Sequence, residues 1–204
     1  MNQHNIMNKV LSYCKIDCTA IHLNDALISV NASNTAGLLE HLLQTCNIDY
    51  PKIYKMDMLS KLCLLGTELL LTNYSISHVP SFEKSIILMN QSSCYLADIA
   101  YQETINDTPS PSKFVYTLPN IAIGEIAIKH KIQGLTSFMI TDKFQPEFIS
   151  QYFNQLLDTK EVSIIIGGWV EVSEEYCDMF LFLCGKSDSG ADLTEENLKI
   201  KSKL

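Results

Sequence analysis

Residues 113–134 read KFVYTLPNIAIGEIAIKHKIQG, and residues 135–171 continue LTSFMITDKFQPEFISQYFNQLLDTKEVSIIIGGWVE. The first part predicts a helix over Pro119–Ile132, with isoleucines at 121, 123, 126 and 128 placed nearly all round it. Gly124 on that helix would admit a close neighbour, and Glu125 stands four residues before Lys129, the spacing of a favourable helical pair. Thr136–Thr141 predicts a strand. The turn Thr141-Asp142-Lys143-Phe144-Gln145-Pro146 leads into a helix over Pro146–Asp158. Val162–Gly167, rich in β-branched residues, predicts a further strand that runs into Gly167-Gly168-Trp169-Val170-Glu171. Strands alternating with helices predict an α/β domain.

The helix after the turn has two unlike halves. Projected at about 100° per residue, Phe148, Ile149, Tyr152, Phe153, Leu156 and Leu157 fall on one side, and Glu147, Ser150, Gln151, Asn154, Gln155 and Asp158 on the other. That segregation predicts one face in a core and one in water.

Outward from this stretch, Val10–Ile16 and Ala20–Val30 predict one or two strands, with Asn24-Asp25 as a turn. Thr35–Cys46 has a helical leucine period after Asn34, a capping residue. Met56–Thr72 predicts a largely buried helix, with Asp57 as its cap. Lys84–Met89 is a short apolar run that suits an interior parallel strand. Tyr95–Ile105 reads as a helix, Asn106–Lys113 as a loop with two prolines, and Met179–Cys184 as a last strand. From Ser187 onward the chain turns polar, and Glu195–Leu204 reads as a frayed helix.

The chain has 204 residues, 47% hydrophobic and 19% charged, a globular composition long enough for one buried core. No apolar run approaches the ~20 residues that span a bilayer. Met1–Asn5 lacks the pattern of a signal peptide. Seven cysteines, an odd count set mostly in apolar segments, read as reduced buried thiols of a cytoplasmic protein. A net charge of −8 argues against nucleic acid and anionic membrane as partners. Cys14, Cys18 and His22 share a four-residue step, yet the close cysteine pair of a zinc site is missing and no fourth ligand stands nearby, so no metal is expected. Gly167-Gly168 is followed by Trp169 rather than by Lys-Ser/Thr, so it is no phosphate loop.

Taken together, these segments resemble the N-terminal half of β-ketoacyl synthases, condensing enzymes of the thiolase fold, over most of residues 50–185. YPKIYKMDMLSKLCLLGTELLL (50–71) resembles their early buried helix. SPSKFVYTLPNIAIGEIAIKHKIQG (110–134) resembles the helix before the nucleophile strand, with Asn120 and Gly124 in the family's places. IIIGGWVE (164–171) resembles the strand that ends in paired glycines, Gly167 and Gly168, and an acidic residue. MFLFLC (179–184) resembles the strand that closes the first sheet. The likeness is nearest to β-ketoacyl synthase-like proteins of aryl-polyene and flexirubin-type pathways, chain-length-factor-like members included. The fold it implies is a single half of the thiolase fold over residues 1–186: a mainly parallel five-stranded sheet with helices on both faces, followed by a polar, partly flexible tail over 187–204.

The resemblance also implies a cysteine at the turn, where a helix N-terminus favours thiolate. Lys143 takes its place, or Phe144 if the turn shifts by one, and neither forms a thioester. The family's catalytic histidines belong to a C-terminal half, and His4, His22, His41, His78 and His130 do not stand where those would. The expected protein is therefore a non-catalytic condensing-enzyme-like subunit of fatty-acid or polyketide-type biosynthesis, without catalytic residue or cofactor. In the family the strand leading to the nucleophile lies at the sheet edge and pairs with a dimer mate. Here that strand is Ser137, Phe138, Met139 and Ile140, which implies a homodimer or a heterodimer with a ketosynthase. An acyl carrier protein is a further implied partner, and Lys52/Lys55/Lys61 or Lys129/His130/Lys131 would be its basic docking patch. Two alternatives stay open: acyl-thioester chemistry on this scaffold with Lys143 as base or amine nucleophile, and a purely structural degenerate homologue.

Overall fold

The computed structural model describes residues 7–204; His4 and the rest of the first six residues lie outside it. The chain opens with β1 (Met7–Ile16), followed by the hairpin β2 (Ala20–Leu23) and β3 (Ala26–Ser29), whose turn is Asn24-Asp25 as expected, with Asn24 at φ 53°. Helix α1 (Thr35–Cys46) starts where the Asn34 side chain accepts from the Gly37 amide. Helix α2 (Met58–Leu71) starts where Asp57 accepts from the amides of Leu59 and Ser60. Then come β4 (Lys84–Asn90), α3 (Tyr95–Ile105), α4 (Pro111–Val115), α5 (Asn120–His130), β5 (Thr136–Ile140), α6 (Pro146–Asp158), β6 (Ile164–Val172), β7 (Cys177–Ser187), β8 (Ala191–Asp192) and α7 (Glu195–Lys201). Helix α4 begins inside the segment expected to be a loop. Ser110 caps it and Pro111 fills its first turn, where no amide is needed.

The sheet differs from the five mainly parallel strands expected. Among the described residues it has eight strands, in the order β3-β2-β1-β7-β6-β4-β5, with β8 beside β1. Only the β4–β5 and β4–β6 pairings are parallel, and the rest are antiparallel. The reason lies in the connections. A parallel pair needs a long crossover, supplied by α3–α5 between β4 and β5 and by α6 between β5 and β6. The others are joined by short turns or bring the two ends of the chain together.

Helices do cover both faces. α1, α2 and α5 pack over the face that holds Ile86 and Leu88 of β4, while α6 and α7 pack over the face that holds Ile87 and Met89. Strand alternation sends these neighbours to opposite sides, which is why all seven residues of β4 are buried.

The chain end also departs from the expected polar tail. The boundary at 186 falls within β7, and β8 and α7 close over the α6 side with Leu193 and Leu198 in that core. Thr194 caps α7 by accepting from the Asn197 amide. This end covers part of the polar flank of α6 expected to face water. Ser150 is buried, and Asn154 donates to the carbonyls of Ser150 and Leu193 at 2.7 and 2.9 Å. Ile149, Phe153 and Leu157 form the core line of α6, whereas Phe148, expected in the core, is 46% exposed.

Candidate functional site at the turn after the edge strand

β5 is the last strand of the sheet and pairs with β4 alone, from Ile86↔Thr136 to Asn90↔Ile140. Its other side is an open row of backbone donors and acceptors. Thr136 and Ile140 are exposed. Phe138 packs towards the α2 side and Met139 towards the α6 side. The Thr141 amide donates to the Asn90 carbonyl at 2.9 Å and carries the ladder one residue into the turn. Thr141 Oγ1 then donates to the Lys143 carbonyl at 3.0 Å, and Gln145 Nε2 to Asp142 Oδ1 at 2.9 Å. Pro146 occupies the first turn of α6.

This geometry separates the two candidate positions. The Lys143 side chain is exposed. Phe144 is half-buried and sits edge-on to Phe180 of β7, with ring centroids 5.5 Å apart and planes at 78°. The inward-facing group at the turn is thus an aromatic ring that fills space. An amine nucleophile gains its reactivity from desolvation or a nearby cation; Lys143 stands in water.

Gly167 and Gly168 lie in mid-strand, not at a strand end as the sequence suggested. A Cβ on Gly167 would stand 2.2 Å from the Phe153 ring of α6, and one on Gly168 2.2 Å from the Phe180 carbonyl. Glycine here lets α6 settle onto the sheet and β7 draw close. Gly124 does the opposite of what was expected: nothing lies within 4 Å of its would-be Cβ. Asn120 is exposed in the first turn of α5. Glu125 does not pair with Lys129. It is buried, with Lys52 Nζ at 2.7 Å and the Tyr50 hydroxyl at 3.2 Å. Lys129 turns instead to Glu68 of α2 at 3.3 Å, and His130 Nε2 lies 2.7 Å from the same carboxylate. In each lysine triplet one lysine is thus already ion-paired, Lys52 with Glu125 and Lys129 with Glu68.

Sequence reading named two further residues without their surroundings. Cys94 stands at the N-terminus of α3, just after β4, a place that would activate a thiol. Burial and the neighbouring Asp57 carboxylate instead push it up to about 12. Burial likewise raises Cys46 to about 12, and it raises Cys14, Cys63, Cys177 and Cys184 further. Glu171, near the end of β6, accepts from the amides of Gln91 and Ser92 at 2.7 and 3.2 Å and fixes the loop before α3. Its place in the quoted stretch marked it, but its partners lie 80 residues away. Cys14 is fully buried, and among the described residues no three His, Cys, Asp or Glu side chains gather as metal ligands. Among the same residues no helix is long and apolar enough to cross a membrane.

No protein-family model and no curated protein matches the chain. Solved structures do. The ishigamide ketosynthase/chain length factor matches with a TM-score of 0.65 and 12% identity, over 90% of this chain and 63% of that one. The fold is that of ketosynthase and chain length factor proteins. A ketosynthase (ApeO) in complex with its chain length factor (ApeC), from Xenorhabdus doucetiae, matches at 0.59 and 9% identity, over 98% of this chain and 91% of that one. A third match, at 0.58 and 9% identity, is AntDE:AntF, a type II PKS acyl-carrier protein in complex with its ketosynthase bound to the hexaketide; it covers 88% of this chain and 62% of that one. The chain thus spans a little under two thirds of the first and third of these ketosynthase-fold proteins, and nearly the whole of the second.

Proposed function

We propose that this protein is a non-catalytic partner subunit of a ketosynthase in fatty-acid- or polyketide-type biosynthesis, of the aryl-polyene kind. One observation carries the reading: the match to a chain of the Xenorhabdus complex runs through almost the full length of both chains. A chain of about this size and fold thus occurs in an assembly of a ketosynthase with its chain length factor. The turn supports the non-catalytic part, since Lys143 faces solvent and Phe144 packs against the core on the α6 side. The partner surface is the free edge of β5 with Ile140, 52% exposed, and the start of α6 after the turn, where Phe148 and Tyr152 stack at 5.5 Å. The partner's strand would extend the sheet across this edge. A second copy of this chain is the competing occupant, and an acyl carrier protein a further partner of the assembly.

Co-expression with a ketosynthase of the same source tests the reading. Wild type should co-purify as a stable heterodimer. Ile140→Glu and Phe148→Glu should each weaken it by about tenfold or more, ~1.4 kcal/mol, without lowering the melting temperature, because both side chains are exposed. Wild type and Lys143→Ala, each alone, should turn over acyl thioesters only at background. A wild-type chain that stays monomeric and ignores the ketosynthase removes the partner reading. Turnover that Lys143→Ala abolishes removes the non-catalytic one.

A further inference from the structure

Far from the turn, at the end of the sheet where β4 begins, a cleft of about 730 Å³ opens between the last turns of α2 and α5 and the β2–β3 hairpin. That volume is in the range of small-molecule sites. One end is cationic: Lys84, Lys129 and Lys131 line it, with Glu68 as the sole carboxylate. Glu68 is already engaged by Lys129 and His130. This local excess of positive charge stands out in a chain of net charge −8. The other end is apolar, formed by Leu23, Ile28, Leu71 and Ile76.

Lys84 is the decisive group. The residue is only 4% exposed, and its Nζ donates to the His130 carbonyl at 3.1 Å. Among the described residues no carboxylate lies within ion-pair reach of it. Capping the end of α5 accounts for one of the three ammonium donors. It leaves the other two without a carboxylate within ion-pair reach, and a lysine residue is seldom so little exposed unless paired. A purely structural cap would also need no cleft in front of it.

We infer that this cleft binds an amphiphile with an anionic head, a carboxylate or a phosphate monoester. The head pairs with Lys84 and Lys131, and the aliphatic stem lies along Leu23, Ile28, Leu71 and Ile76. The site lies at the end of β4 opposite the turn after β5, and needs no partner subunit. Its success or failure therefore leaves the proposed pairing untouched.

Calorimetric titration of the full chain with octanoate and octyl phosphate is the test, with inorganic phosphate and octanol as controls. At least one of the two amphiphiles should bind with unit stoichiometry, and the tighter of them identifies the head group. Inorganic phosphate should bind about tenfold more weakly or worse, since it lacks the stem, and octanol should not bind, since it lacks the charge. Amide shifts in the wild-type spectrum should cluster at Lys84, Lys131 and Ser75–Ser77. Lys84→Met should weaken binding by about tenfold or more and Lys131→Gln by a smaller factor. Failure of both amphiphiles, octanol binding equal to octanoate, or shifts centred elsewhere would overturn the site. The wild-type spectra decide even if Lys84→Met does not fold.

Discussion

Glu68 joins α2 to the last turn of α5 by taking His130 and Lys129 at once. Burial alone would raise its carboxyl, but the His130 hydrogen bond and the two neighbouring positive groups outweigh it and hold the carboxyl below its ordinary value of 4.5. A carboxyl depressed in the fold stabilises the native state fully above its unfolded value, and that contribution is lost as pH falls through the folded one. Denaturant melts of wild type should therefore weaken below about pH 4.5, and Glu68→Gln should flatten that acid limb. An unchanged limb would remove Glu68 from the account. The same neighbourhood shows why residue partners are hard to read from sequence. Four-residue spacing paired Glu125 with Lys129, since it sees only one helix. In the fold Glu125 turns inward to Lys52 and Tyr50, and Lys129 reaches across to α2.

At the scale of elements, α7 is a structural member rather than a loose end. Leu198 is fully buried against the α6 side of the sheet, Asn154 ties α6 to Leu193, and Lys201 Nζ lies 3.9 Å from the centre of the Tyr13 ring. Leu198→Ala should cost about 2–5 kcal/mol, read by urea denaturation. A loss within about 0.5 kcal/mol, as for a surface site, would show α7 to be dispensable. The helix period was plain in α1, α2 and α6 because each carries a stripe of large apolar residues. It was faint in α7, where Leu198 and a half-exposed Ile200 are the only large apolar side chains. The orientation of α6 was legible along its core line of Ile149, Phe153 and Leu157, but not on its flanks. Burial of Ser150 and exposure of Phe148 depend on what packs beside the helix, which its own periodicity does not encode.

For the whole molecule, protection should follow the sheet. Amide exchange of the isolated chain should be slowest in β4, buried throughout and paired on both sides, and faster in β5, open on one side. Adding the ketosynthase should slow β5 selectively; uniform slowing, or none there, would place the contact elsewhere. The run from α5 to β6 was read correctly in kind and order, because parallel strands with helical crossovers leave a repeating pattern. Strand order and direction were not legible, since the β1–β7 ladder is set by residues nearly a full chain length apart. Its register, Met7↔Ser187 through Ile16↔Met179, has a consequence for the chain as it is made. β1 finds its main neighbour, β7, only after residue 177 has left the ribosome. At roughly 5–20 residues per second, β1 spends on the order of ten seconds with only β2 to pair with. The whole stretch from β4 to β6 is therefore made before β1 can take its place beside β7.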